Sequence, residues 1–154
     1  MKEIKISNAT IKERKQLINW FEFYGIQKLI EKRIDCYLVH NSTVIAKDKN
    51  QIVGVLQWHV KESAAHGLAE IEEVLISESY RGQGIGSLLV MYAIDAIRTC
   101  FIELNTKPRK IFLFVGSANT SARKLYEKHG FRLISSIGYL FHDNVEELFY
   151  SLDL

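Results

Sequence analysis

Six consecutive residues, Arg81-Gly82-Gln83-Gly84-Ile85-Gly86, carry the clearest chemical signal in this sequence. Gly82, Gly84 and Gly86 lack a Cβ, so the backbone can turn sharply and approach a ligand closely. The apolar run Ile71 to Ile76 before them reads as a buried strand, and Ser87 to Phe101 after them as a long helix. In a strand–loop–helix unit the loop N–H groups and the positive end of the helix dipole converge on one point, which suits phosphate. Arg81 adds a charged donor at the rim. The expected guest is a cofactor bearing a di- or triphosphate. A Walker loop closes with Gly-Lys-Ser/Thr, and Gly84-Ile85-Gly86-Ser87 has no lysine there. The dinucleotide fingerprint also fits poorly, because its glycine spacing differs and the loop sits mid-chain.

The rest of the chain must hold that loop in place. Lys2 to Ser7 alternates charge and isoleucine, which predicts a short strand with Ile4 and Ile6 inward. Thr10 with Glu13 is a capping-box pair and predicts a helix start. Leu17, Ile18 and Phe21 give that helix an apolar face, and Gly25 ends it. Ile26, Leu29, Ile30 and Ile34 have the spacing of a second helix. Trp20, Phe21, Phe23 and Tyr24 read either as core packing or as the wall of a pocket for an acceptor. Tyr37 to Lys47 is β-rich. Asp48-Lys49-Asn50 is a turn signal that joins Val44–Asp48 to Gln51–Lys61 as a hairpin. Glu62 to Gly67 is a polar connection, and Leu68 to Ile76 the next strand.

After Arg81 the period changes. Ile85, Leu88, Leu89, Tyr92, Ala93, Ala96, Ile97 and Cys100 recur at helical spacing. Pro108 marks a loop over Asn105 to Lys110. Ile111 to Val115 reads as a strand buried on both faces. A helix through Ala122, Leu125, Tyr126 and His129 follows and stops at Gly130. Phe131–Phe141 and Val145–Leu152 are final strands joined by His142-Asp143-Asn144. This order predicts an α/β (or α+β) fold with a mixed central sheet. The unit from Leu68 to Val115 should be a parallel, right-handed crossover.

Totals narrow the class. The 154 residues suggest one domain, 1–154, and the 47% hydrophobic and 25% charged content suits a globular chain. A net charge of +2 is too small to argue for nucleic acid. No apolar run was expected to reach the roughly 20 residues of a membrane span. Met1-Lys2-Glu3-Ile4-Lys5 has no apolar signal core. Cys36 and Cys100 have no metal-type spacing and read as core filling in a reducing cytoplasm.

Two stretches together resemble one family. Ile71 to Leu89, centred on Arg81-Gly82-Gln83-Gly84-Ile85-Gly86, resembles motif A of the GCN5-related N-acetyltransferases. Its core is Arg or Gln, two residues, Gly, one residue, then Gly or Ala. Asn119-Thr120-Ser121-Ala122-Arg123-Lys124-Leu125-Tyr126-Glu127-Lys128-His129-Gly130-Phe131 is similar to motif B, with an Asn opening a helix, a Tyr within it, and Gly-Phe entering the next strand. The two motifs span about a third of the chain.

The resemblance implies a largely antiparallel sheet that splays between Leu68–Ile76 and Ile111–Val115. It implies acetyl-CoA, with pyrophosphate on the Arg81–Gly86 loop and the pantetheine arm along Val74, Leu75 and Ile76. Asn119 would contact that arm; it also suits a plain helix cap. Transfer in the family is usually direct, so neither cysteine is assigned as a nucleophile. Tyr126 matches the tyrosine that commonly protonates the departing sulfur, and a phenol keeps its proton at neutral pH. A backbone N–H near Ile76 would stabilise the oxyanion.

Glu70, Glu72 and Glu73 are candidate bases, with Glu70 at the position some histone-acetylating members use. Alternation puts Glu70 and Glu72 on one face and Glu73 on the other, unless a bulge resets the phase. The three carboxylates also suit a cationic acceptor. His59 is a further candidate. Arg123, Lys124, Lys128, Lys107, Arg109 and Lys110 form a basic region, read as solvated surface with one or two residues for a 3′-phosphate. The implied activity is N-acetylation of an amine-bearing acceptor, small molecule or protein, without metal, nucleic acid or membrane. Homodimers are common in the family. A non-catalytic acyl-CoA sensor is the alternative.

Overall fold

A computed structural model describes residues 3–141 and 143–154. Lys2 of the predicted first strand and His142 of the predicted last turn lie outside them. Seven strands form one sheet: β1 (Ile4–Asn8), β2 (Thr43–Asp48), β3 (Gln51–Val60), β4 (Leu68–Ile76), β5 (Lys110–Gly116), β6 (Arg132–Gly138) and β7 (Glu146–Asp153). Their order is β1-β2-β3-β4-β5-β7-β6, and β4–β5 is parallel among antiparallel neighbours. The parallel pair needs a crossover, which α3 (Ile85–Glu103) supplies.

Each face of the sheet has its own core. On one face α3 and α4 (Thr120–Lys128) cover Val44, Val53, Leu56, Ile71, Ile111 and Leu113. On the other, Leu17 and Phe21 of the α1 (Arg14–Trp20) segment and Ile30 and Ile34 of α2 (Gln27–Val39) pack on Ile45, Ile52 and Val55. The Thr10–Glu13 capping box forms, with Thr10 N–H donating to Glu13 Oε2 at 2.8 Å. It opens one 3-10 turn, Ile11–Glu13, ahead of α1.

Several boundaries differ from expectation. Tyr37 belongs to α2, not to a strand, because its ring completes the buried stripe of Ile30 and Ile34. The 19 residues of α3 are long and apolar enough to cross a membrane by length and composition alone. Its apolar stripe, Leu89, Val90, Ala93, Ile97 and Phe101, is instead buried in the core. β5 is not buried on both faces: Ile111, Leu113 and Val115 are buried, while Phe112 and Phe114 are half-buried on the opposite side. β6 stops at Gly138, short of Phe141, and Tyr139 takes a positive φ of 59°. Cys36 is exposed and so not the core filler expected, while Cys100 is half-buried and packs against the α3-side core.

Candidate active site

β4 and β5 are paired only at Leu68–Glu70 with Lys110–Phe112. Beyond Glu70, β4 remains paired to β3 as far as Ile76, and β5 remains paired to β7 as far as Gly116. The two strands therefore part from each other while each keeps its outer neighbour. The β5-facing backbone edge of 71–76 has no strand partner, which leaves N–H and C=O groups available to an extended ligand. A cavity of about 530 Å³ lies in this opening, lined by Ile71, Glu72, Glu73, Phe114, Val115 and Gly116 among others.

The glycine loop lies just beyond the free end of β4. Gly82 and Gly84 have φ of +73° and +81°, with open space where a Cβ would stand. Gly84 caps α3, and the first helical bond runs from Leu88 N–H to Gly84 O. The N–H groups before Leu88 therefore lack intrahelical acceptors. Gly86 serves differently: a Cβ there would meet Leu125 Cδ2 at 3.1 Å and Ile76 Cδ1 at 3.2 Å, so it allows α3, α4 and β4 to approach closely. Ile85 buries its side chain in the core and has only backbone to offer a ligand. Arg81 Nε donates to Ile76 O at 3.2 Å, and Gln83 Nε2 to Ser79 O at 2.9 Å, so both brace the loop. This is an open cradle of N–H groups at a helix start, as a pyrophosphate requires.

A bulge decides where the glutamates point. Gln57 pairs with Glu73, but the next β3 residue, Trp58, pairs with Ile71, so Glu72 is the extra residue. Ala69 and Ile71 contribute to the α3-side core, and after the bulge Val74 and Ile76 do so, while Leu75 joins the α2-side core. The extra residue shifts the alternation by one, and Glu70, Glu72 and Glu73 all line the same cavity. Strict alternation would have put Glu73 on the opposite face.

The three carboxylates are not equivalent. Glu70 lies 3.3 Å from Lys61 Nζ and 3.6 Å from His59 Nε2. Glu72 accepts from Arg33 Nη2 at 2.8 Å and from the Tyr37 hydroxyl, and His59 Nδ1 lies 3.0 Å away. His59 Nδ1 makes no aligned hydrogen bond there. Burial by itself would raise the Glu72 carboxyl; the contacts with His59, Tyr37 and Arg33 outweigh it and hold the pKa at about 2. Glu73 has one side-chain partner among the described residues, the neutral Tyr24 hydroxyl. Burial and that bond push Tyr24 up to about 12. His59, Glu70 and Glu72 bring donor atoms within 4.8 Å of one another. Lys61 and Arg33 already neutralise both carboxylates, so this trio is poorly disposed to a cation.

Tyr126 lies on α4 in the α3-side core, only 6% exposed, with its ring edge-on to Phe131 at 5.8 Å. Burial, then the negative charge of Glu73, push its hydroxyl above the ordinary phenol value. Asn119 caps α4, its Oδ1 accepting from Ala122 N–H at 3.1 Å. Ser87 Oγ and His129 Nε2, 2.6 Å apart, tie the first turn of α3 to the end of α4. In the basic region, Arg123 donates to Ser117 O and Tyr150 Oη, Arg109 to His66 O, and Lys110 pairs with Asp153.

Sequence reasoning missed Arg33, Tyr37 and Glu147. Arg33 bridges Gln57 Oε1 at 2.9 Å to Glu72 and lies over the Tyr37, Tyr24 and Phe21 rings at 5.1–5.6 Å. Its partners are 24 and 39 residues away, so no local pattern marks it. Of the aromatic cluster, Phe21 is core and Tyr24 is cavity wall, so both readings apply to different residues. A charged Glu147 within an apolar alternating strand was the one signal available for that residue.

Residues 13–131 match the model of the acetyltransferase (GNAT) family. A mycothiol acetyltransferase of Corynebacterium glutamicum is 35% identical over 89 residues, covering 58% of this chain and 27% of that protein. The chain thus spans about a quarter of the length of the mycothiol acetyltransferases it matches. An uncharacterized N-acetyltransferase of Bacillus subtilis, YjcF, is 24% identical over 110 residues, covering 71% of this chain and 69% of its own. Among solved structures, a GNAT-family acetyltransferase from Streptococcus pneumoniae superposes with a TM-score of 0.81 at 19% identity, over 99% of both chains. YncA of Salmonella typhimurium, solved with acetyl-CoA, gives 0.80 at 14% identity over 98% and 94%. With the matched segment, the splayed strand pair and the glycine loop in agreement, the chain belongs to the acetyltransferase (GNAT) family.

Proposed function

We propose that this chain is an acetyl-CoA-dependent N-acetyltransferase that moves the acetyl group directly onto a primary amine. The observation that carries this reading is the cleft between β4 and β5. It holds Glu73, which has no cationic partner among the described residues, and an open glycine cradle lies beyond, while the buried Tyr126 is close enough to be affected by the Glu73 charge. The cradle and the unpaired β4 edge fit a long cosubstrate that ends in pyrophosphate and carries amide groups along its arm. YncA, of the same fold, was solved with acetyl-CoA.

When bound, acetyl-CoA supplies an acyl thioester that an amine can attack. The loop N–H groups and the start of α3 hold the pyrophosphate, and Val74, Leu75 and Ile76 offer their backbone edge to the arm. A backbone N–H near Ile76 stabilises the developing oxyanion. Glu73 takes one proton from the incoming ammonium and frees the nitrogen lone pair. Tyr126 keeps its proton, because burial and Glu73 disfavour phenolate, and delivers it to the sulfur as the C–S bond breaks. The nitrogen sheds two protons in all: Glu73 holds one, and the second balances the proton on the thiol. Glu72 is the weaker base candidate, since a carboxyl held at about 2 takes a proton reluctantly.

Thiol release from acetyl-CoA across a panel of amines, with calorimetry of acetyl-CoA binding on the same sample, tests the reading. Amine-dependent thiol release is expected. Tight ATP binding with no CoA binding would refute it, and binding without turnover by any amine would point to the sensor alternative.

A further inference from the structure

The charges lining the cavity do not balance. Arg33 is spent on Glu72, and Lys61 on Glu70. Glu73 and Glu147 remain without a cationic partner among the described residues. Glu147, on β7, is 3% exposed. Its Oε2 accepts from Leu140 N–H at 3.2 Å, and its other oxygen has no partner among the described residues. The residue lines the cavity. A carboxylate so enclosed and unpaired is costly unless something cationic meets it. The rings of Phe114 and Phe141, 5.7 Å apart and edge-on, line the same cavity as the two acids. They offer apolar surface to methylenes and negative faces to a cation.

We propose that the acceptor is a straight aliphatic amine carrying a second ammonium, with Glu147 the residue that selects for it. This rests on the reading of the cleft given above. One ammonium meets Glu73 and is deprotonated for attack; the other stays charged against Glu147, and the chain between them lies along Phe114 and Phe141. Two carboxylates without a cationic partner among the described residues match two ammonium groups, and a cavity of about 530 Å³ suits a small molecule. β4 and β7 flank β5 in the sheet, and β4 has parted from β5 by Glu73, so the strands that carry the two acids stand more than two strand spacings apart, more than roughly 10 Å.

The test compares straight-chain α,ω-diamines of increasing length with n-alkylamines of matching length. Thiol release gives kcat/KM, and calorimetry in the presence of CoA gives amine binding. Diamines should be favoured about 10-fold or more, with turnover peaking at one chain length and falling for shorter and longer ones. Glu147→Gln preserves shape and the Leu140 contact, and should bring the diamine-to-monoamine ratio close to one. Equal turnover and equal binding of the two series by the wild type would overturn the proposal without any variant. A Glu147→Gln protein that loses both series equally would also overturn it. If no amine turns over, the binding ratio alone decides. Failure of acetyl-CoA to bind would count against the acetyltransferase reading instead, and is seen separately in the same calorimetry.

Discussion

Replacing Glu73 and Glu72 separately by glutamine should produce opposite phenotypes, although they are chain neighbours. Glu73→Gln removes a charge whose one described side-chain partner is the neutral Tyr24 hydroxyl, and the amide oxygen can still accept from it. Stability should change by less than about 0.5 kcal/mol, the usual range for a substitution that breaks no network. Loss of a general base removes about 10²–10⁴ in rate, or roughly 3–5 kcal/mol of transition-state stabilisation. Glu72→Gln instead weakens a charged pair at 2.8 Å whose side chains are 26% and 27% exposed, and loosens Tyr37. That should cost about 1–2 kcal/mol of stability, discounted for partial exposure. At about 2–4 °C per kcal/mol for a chain of this size, Tm should fall by about 2–8 °C, with kcat reduced by less than about 10-fold. The assays are thiol release with the best available amine and thermal unfolding followed by circular dichroism. A Glu73→Gln enzyme within about threefold of wild type would refute the base assignment, as would a Glu72→Gln enzyme that loses rate but not Tm.

Tyr126→Phe should lower kcat about 10–100-fold with little change in acetyl-CoA affinity by calorimetry; an unchanged kcat would take Tyr126 out of the acid role. Gly84→Glu should abolish acetyl-CoA binding while the protein stays folded, since the new Cβ meets nothing within 4 Å; the φ of +81° should cost about 1–2 kcal/mol, visible as a modest fall in Tm. Normal binding by that variant would remove the loop from the cofactor site. Glu13 and Glu72 are both held at about 2, below their unfolded values, so each stabilises the fold fully above about pH 5 and less as pH falls toward 2. Denaturant melts across that window should show stability dropping with acid. In Glu13→Gln, whose amide oxygen can still accept from Thr10 N–H but which loses the charged contact with Lys47 at 2.6 Å, the slope should be shallower and the plateau lower by about 1 kcal/mol; a slope identical to wild type would show that Glu13 does not carry it.

Local chemistry accounts for what the sequence alone determined. Glycine is the residue that enters positive φ freely, so Gly82 and Gly84 announced the loop. Period 3.6 announced α3 and α4, and Thr10 with Glu13 announced a helix start, because those signals reside in neighbouring residues. The hairpin and Leu68–Ile76 were legible for the same reason. What only the tertiary structure decided depends on partners far away in the chain. The β3–β4 bulge, invisible in the β4 sequence, turns Glu73 into the cavity, because a one-residue shift reverses every later side chain. Arg33 reaches from α2 to neutralise Glu72, which separates it from Glu73 as a base. Glu147 enters the same cavity from β7, 74 residues after Glu73 along the chain, and it does so only because β5 pairs with both β4 and β7. Ionisation and charge balance are set by whatever lies within a few ångströms in space, and the order of residues does not record that distance.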